Sequence, residues 1–218
     1  MSRLLRSCAL LAVLLTLSAC SDEATSASDA TPAGASDAAG QPQAGASGTK
    51  AERAAAAGLS DAQTAALDSL EVPVYIPALP EGWTLTDAST ERLESDGTVY
   101  PGYELHYRTA AQTCLHLVAA SEGLGDVFVM EPPHTRDVTV TGVPTDGPTR
   151  LGWGVAGETA EGWDGGRVAT EWFRTGDLSL SLQSPDDADA CGPASPEDAE
   201  ALLVSLRALD PADDVSTD

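Results

Sequence analysis

Tyr103-Glu104-Leu105-His106-Tyr107-Arg108 and, after a five-residue break, Cys114-Leu115-His116-Leu117-Val118-Ala119 are the two runs whose reading decides the fold. Both alternate with period two, and successive side chains of a strand leave opposite faces of the pleat. The short break between them suits a hairpin. Matching the apolar faces sets the register, because a one-residue slip would send every side chain to the wrong side. Leu105 then lies opposite Leu117, and Tyr107 opposite Leu115. The other face pairs Glu104 with Val118, His106 with His116, and Arg108 with Cys114.

Upstream of this pair, Leu79-Pro80-Glu81-Gly82-Trp83 reads as a turn opening a strand from Trp83 to about Leu93. Glu94-Ser95-Asp96-Gly97 is a hairpin turn signal. Pro73 and Pro77 keep the passage Val72 to Pro77 extended. Ser60 followed by Gln63 is a capping box and predicts a short helix over 60–70. Downstream comes a Gly- and Pro-rich loop over 121–135, which holds His134. A strand is expected over Arg136 to Val143, then a turn at Thr145-Asp146-Gly147-Pro148. Further strands over Arg150 to Ala156 and Arg167 to Thr175 flank an exposed loop from Gly157 to Gly166. Gly176-Asp177 turns the chain into Leu178, Leu180 and Leu182, which alternate with Ser and Gln.

Ser195-Pro196-Glu197-Asp198 starts a last helix, with Ser as N-cap and Pro at the first helical position. Ala199, Leu202, Leu203, Leu206 and Leu209 share its apolar face, and Pro211 ends it. The order is helix, about seven strands with hairpin connections, helix. Long βα crossovers are missing, so the expectation is an α+β domain. It has a single antiparallel curved sheet of about seven strands, a short N-terminal helix, and a C-terminal amphipathic helix packed on it.

The N-terminus carries Arg3 and Arg6 ahead of an apolar run from Cys8 to Ala19. That run is shorter than the roughly 18–20 residues that span a bilayer and has the flanks of an export signal. It ends in Leu17-Ser18-Ala19-Cys20, which resembles the lipobox of bacterial lipoproteins. The resemblance implies that residues 1–19 are a signal peptide and that Cys20 is lipidated and becomes the mature N-terminus. The protein would then be held on the extracytoplasmic side of a bacterial membrane, in the cell envelope. More than one acyl chain makes a stable anchor, at about 0.8 kcal/mol per buried CH₂. Residues 20–58 carry almost no large apolar side chain and read as a tether that cannot offset its ordering entropy. Within it, the stretch from Ala51 to Ala57 is helix-prone without an apolar face. The domain occupies 59–210, and a polar tail follows over 211–218.

Four cysteines are present. Cys8 leaves with the signal and Cys20 goes to lipid. Cys114 and Cys191 remain, and two thiols left over in an exported chain usually pair. The competing use, a redox or metal pair, lacks a C-x-x-C spacing.

The formal net charge is −23, and loss of Arg3 and Arg6 makes it more negative. Nucleic acid is therefore excluded as a partner, since phosphate binding needs concentrated Lys and Arg. Acidic membranes repel such a chain too, so lipid and not charge must hold it. Nucleophile elbows, H-E-x-x-H, P-loops and dinucleotide fingerprints are absent, and no cofactor is implied.

Beyond the lipobox, the layout resembles a group of uncharacterised bacterial envelope lipoproteins. The residues that carry the likeness are Leu79 to Trp83, Tyr103 to Arg108, Thr113-Cys114-Leu115, Thr170-Glu171-Trp172-Phe173, and Cys191 to Arg207 with its Ser-Pro-Glu cap. The resemblance covers about 72–209 and implies the same Cys114–Cys191 disulfide and an unassigned role. At the level of fold alone, the plan is also similar to curved-sheet envelope proteins that cradle lipids or lipoproteins.

Three clusters of residues bear on chemistry. His106 and His116 fall opposite each other with Glu104 beside them, and two imidazoles with a carboxylate can hold zinc or copper; a solvated or hydrogen-bonded pair is the plain alternative. Asp186, Asp187 and Asp189 resemble a fragment of a calcium loop but lack its glycine and terminal Glu. Trp163 and Trp153 lie among glycines where an open ring could stack on a sugar or an apolar ligand; packed anchors are the plain alternative. Trp172 reads as a core strand residue. Three functions follow. The first is non-enzymatic binding of an envelope protein, cell-wall element or apolar ligand. The second is carriage of an apolar ligand or lipid. The third is a metal-binding protein or metalloenzyme built on His106 and His116.

Overall fold

The computed structural model describes residues 48–95, 98–121, 131–155, 157–158, 163, 165–185 and 191–214. Cys20, the leader, most of the tether, the turn at 96–97 and the aspartates at 186–189 lie outside them.

The chain is α+β. Two helices come first, α1 (Lys50–Ala56) and α2 (Asp61–Asp68). Each opens with a complete capping box, Thr49 with Glu52 and Ser60 with Gln63. A short strand β1 (Tyr75–Pro77) follows, then the long hairpin of β2 (Trp83–Ser95) and β3 (Thr98–Thr109), and then β4 (Cys114–Ser121). After it come β5 (His134–Val138), β6 (Thr149–Trp153), β7 (Val168–Thr170), β8 (Phe173–Thr175) and β9 (Leu178–Gln183). Helix α3 (Pro196–Val204), strand β10 (Leu206–Ala208) and a 3₁₀ turn (Pro211–Asp213) close the described chain.

Eight strands form one sheet in the order β2-β3-β4-β9-β7-β6-β5, with β8 paired to β9, and every pairing is antiparallel. The sheet opens on the Pro80 to Trp83 turn. Trp83 N–H donates to the Pro80 carbonyl at 3.1 Å, and Gly82 takes φ 84°, a conformation that side chains disfavour and glycine accepts. The β3–β4 register is the one that matched faces require, with Leu105 opposite Leu117, Tyr107 opposite Leu115 and His106 opposite His116. Strand β9 continues the same pattern, setting Leu182 against Leu117 and Leu180 against Ala119.

The inner face of the sheet carries Tyr103, Leu105, Tyr107, Leu115, Leu117, Leu180 and Leu182, all buried. Helix α2 lies against β2, and α3 against β5, β6, β7 and β9. The α3 side chains Ala199, Leu202 and Leu203 are buried in the same core as these strands. Strand β1 is tied to the sheet by the Tyr103 side chain and by the Tyr75 hydroxyl, 3.2 Å from Thr175 Oγ1 on β8. The Tyr103 hydroxyl accepts from Tyr75 N–H at 2.8 Å and donates to the Tyr75 carbonyl at 3.2 Å. Burial pushes the Tyr103 phenol well above its ordinary range.

Within this α+β plan several details differ from expectation. The sheet has eight strands and not about seven, and a separate two-stranded ribbon, β1 with β10, accompanies it. The ribbon exists because the last helix stops at Val204. Leu206, read with Leu209 as part of the helix face, shares a strand period with Ala208 instead, and the two pair with Pro77 and Tyr75.

The ordered body also begins before Leu59. Helix α1 packs Ala54 and Ala57 into the core and buries Arg53 completely. Arg53 donates to the Ala208 carbonyl at 2.9 Å and to Asp214 at 2.6 Å. A buried guanidinium needs such partners; Ala208 comes from the stretch expected to be helix and Asp214 from the segment read as polar tail. A run of alanines around one arginine gives no hydrophobic stripe, which is why the stretch reads as tether.

The strand expected over Arg136 to Val143 stops at Val138, although Val140 and Val143 are buried beyond it. His134 belongs to this strand and not to the preceding loop. The strand expected over Arg150 to Ala156 ends at Trp153. Finally, the run from Arg167 to Thr175 is broken at Glu171-Trp172 into β7 and β8.

Candidate functional site

The outer face of β3 and β4 carries the residues left over when the apolar set turns inward. Glu104 and His106 are two apart on β3 and so share that face, and His116 sits opposite His106 on β4. Glu104 Oε1 lies 3.1 Å from His106 Nε2 and 3.1 Å from His116 Nδ1. The two imidazoles stand 3.8 Å apart between centroids, tilted by 40°. One carboxylate oxygen thus meets both rings. All three side chains are partly buried, with 21%, 29% and 17% of Glu104, His106 and His116 exposed. They are therefore held in place yet open to solvent.

Their ligating atoms all lie within 4.8 Å of one another. Zinc bonds of 2.0–2.1 Å in a tetrahedron put neighbouring ligands about 3.4 Å apart. The carboxylate–imidazole separations are already close to that edge length. Without a metal, the carboxylate accepts ring N–H groups. With one, the same atoms would serve as its ligands. This is the largest convergence of chemistry-bearing groups among the described residues.

The next rung of the same face holds Arg108 opposite Cys114. Cys114 is joined to Cys191 by a disulfide. Beside it Thr113 pairs with Gly192, and Gly192 N–H donates to the Gln112 carbonyl at 2.8 Å. The cross-link therefore ties the segment before α3 to the strand that carries His116.

Of the two readings of the tryptophans, the burial of Trp163 agrees with the packed anchor and not with the open ring. A Cβ built on Gly154 would come within 2.9 Å of the Trp163 ring, so glycine there lets the backbone pass close to the indole. Trp163 is a packed anchor. Trp153 is half-buried, stacked on His134 at 5.7 Å, with the Arg136 guanidinium 5.6 Å from its ring centroid. Its ring is engaged by the chain's own side chains. Trp172, expected in the core, sits half-buried in the break between β7 and β8. It lines a surface hollow of about 180 Å³ together with Thr145 to Thr149, Glu171, Phe173 and Arg174. No sequence signal separates it from Trp153, since the break carries neither Gly nor Pro. No helix among the described residues is long and apolar enough to cross a membrane.

Compared with known proteins, the chain matches no family model, no curated protein and no solved structure.

Proposed function

We propose that this chain is an exported, lipid-anchored envelope protein whose sheet binds a transition-metal ion through Glu104, His106 and His116, in a non-enzymatic role. The observation that carries the reading is the meeting of one carboxylate oxygen with two imidazole nitrogens at 3.1 Å each. Imidazole with carboxylate suits zinc, copper and related borderline ions over calcium or magnesium. The lipobox likeness at Leu17 to Cys20 supports the location. The space beneath α3 is filled by Leu180, Leu182, Leu202 and Leu203, which favours binding on the surface over carriage of an apolar ligand inside.

Equilibrium dialysis of the purified, detergent-solubilised protein against zinc or copper, with bound metal read by atomic emission, tests this. One ion per chain is expected in the native protein and none in a His106→Ala/His116→Ala double variant. A native protein that retains no metal, or a double variant that retains as much, would leave the envelope-partner reading as the better one.

A further inference from the structure

The edge strand beside the histidines contains an irregularity that concerns them directly. On β2, Leu85 lies opposite Tyr107, but the next matched pair is Asp87 with His106. Thr86 is therefore an extra residue, a β-bulge. With unbroken alternation Thr86 would face His106, and Asp87 would turn inward opposite Leu105, among buried leucines and tyrosines. The bulge puts Ala88 opposite Leu105 instead and delivers Asp87 to the outer face, directly across from His106. The Thr86 hydroxyl donates to the His106 carbonyl at 3.1 Å, pinning the irregularity to that same residue. Bulges commonly re-aim a side chain in this way.

We infer that Asp87 is a fourth ligand, so that the site takes a divalent zinc-class ion through two imidazoles and two carboxylates. This rests on the metal reading above. Directly opposite residues have Cβ atoms about 5 Å apart, within reach of an aspartate carboxylate. The ligands would come from three adjacent strands, with Glu104 and His106 in the middle, Asp87 on one side and His116 on the other. Two carboxylates neutralise the charge of a divalent ion, and four ligands complete the tetrahedron that zinc prefers. In this structure Asp87 is exposed and lies outside the cluster of Glu104, His106 and His116 whose ligating atoms meet within 4.8 Å, so ligation requires its side chain to turn toward His106. The site is then open on the β2 side and closes when the cation draws Asp87 in.

The test is a zinc titration of the full-length protein, by competition with a chromophoric chelator, in the native form, in Asp87→Asn and in Asp177→Asn. Asp177 is an equally exposed aspartate in the Gly176 turn and controls for general loss of negative charge. Thermal unfolding without metal checks that each variant folds. The expected result is tight binding in the native protein, at least about tenfold weaker binding in Asp87→Asn, and none of that loss in Asp177→Asn. Cobalt substitution should show the intense visible bands of a tetrahedral ion in the native protein and weaker ones in Asp87→Asn. A native protein that binds zinc with Asp87→Asn binding equally well, or with both variants weakened alike, overturns the role of Asp87 and leaves the three-ligand site standing. A native protein that binds no zinc overturns both.

Discussion

The two faces of the same sheet make opposite use of the same strands. On β3 the inward residues are Tyr103, Leu105 and Tyr107, essentially inaccessible to solvent. The outward ones are Glu104, His106 and Arg108. One set is uniform in chemistry and buries area; the other is mixed and meets solvent. Apolar burial is non-directional and tolerates many side chains of suitable size. A carboxylate held 3.1 Å from two imidazoles depends on register and rotamer together. Stability therefore resides on the inner face and chemistry on the outer one. The exception is the Cys114–Cys191 disulfide, which sits on the chemical face and serves the fold.

Substitutions on each face sharpen or break that division. Leu117→Ala, fully inside, should destabilise by about 2–5 kcal/mol in urea unfolding and leave zinc affinity of the folded protein unchanged. Lost affinity at full folding would break the comparison. A Cys114→Ser/Cys191→Ser variant should lose about 2–4 kcal/mol, because the cross-link spans a sequence separation of 77 residues; a shift in denaturation midpoint under reducing conditions would report the same loss.

The buried phenols offer a test by pH. Burial raises both Tyr103 and Tyr107 above the ordinary value of 10.0. Above pH 10 the unfolded chain releases protons that the folded chain keeps, so stability is complete below that value and falls as pH rises. Each phenol contributes a slope of about 1.4 kcal/mol per pH unit in that window. Tyr103→Phe should make the slope shallower and also cost about 1–3 kcal/mol at neutral pH by stranding the Tyr75 backbone groups. Tyr107→Phe should make the slope shallower at little cost, since the Tyr107 hydroxyl has no hydrogen-bond partner among the described residues, and the buried Tyr75 phenol, raised in the same direction, keeps part of the slope in both variants. The smallest effect belongs to the outer face. His116→Ala should change unfolding free energy by less than about 1 kcal/mol while removing metal binding.

Much of this was legible in residue order. The pairing of His106 with His116 follows from placing Leu105 and Leu117 on a common face, and the Ser195 cap marks the start of α3. What escaped has physical reasons. Arg53 reads as a solvent-seeking residue in an alanine run, and its distant partners Ala208 and Asp214, invisible in local sequence, accompany its burial. Leu206 fits a helical spacing with Leu209 and a strand spacing with Ala208, and the edge of β1 chose between them. The Thr86 bulge leaves no mark in composition, since no glycine announces it, and so Asp87 could not be connected with the histidines. The break at Trp172 is equally silent.

The clasp of Arg53 on Asp214 and Ala208 also decides how the molecule answers to tension. A pull arriving through the segment before Gly48 enters at α1, and the guanidinium hands it to β10, whose strand partner is β1. The load path runs into the two-stranded ribbon, and the Tyr103 hydroxyl, bonded to the Tyr75 backbone, carries it on to β3. Tension on α1 is therefore shared between the ribbon and the strand that carries His106.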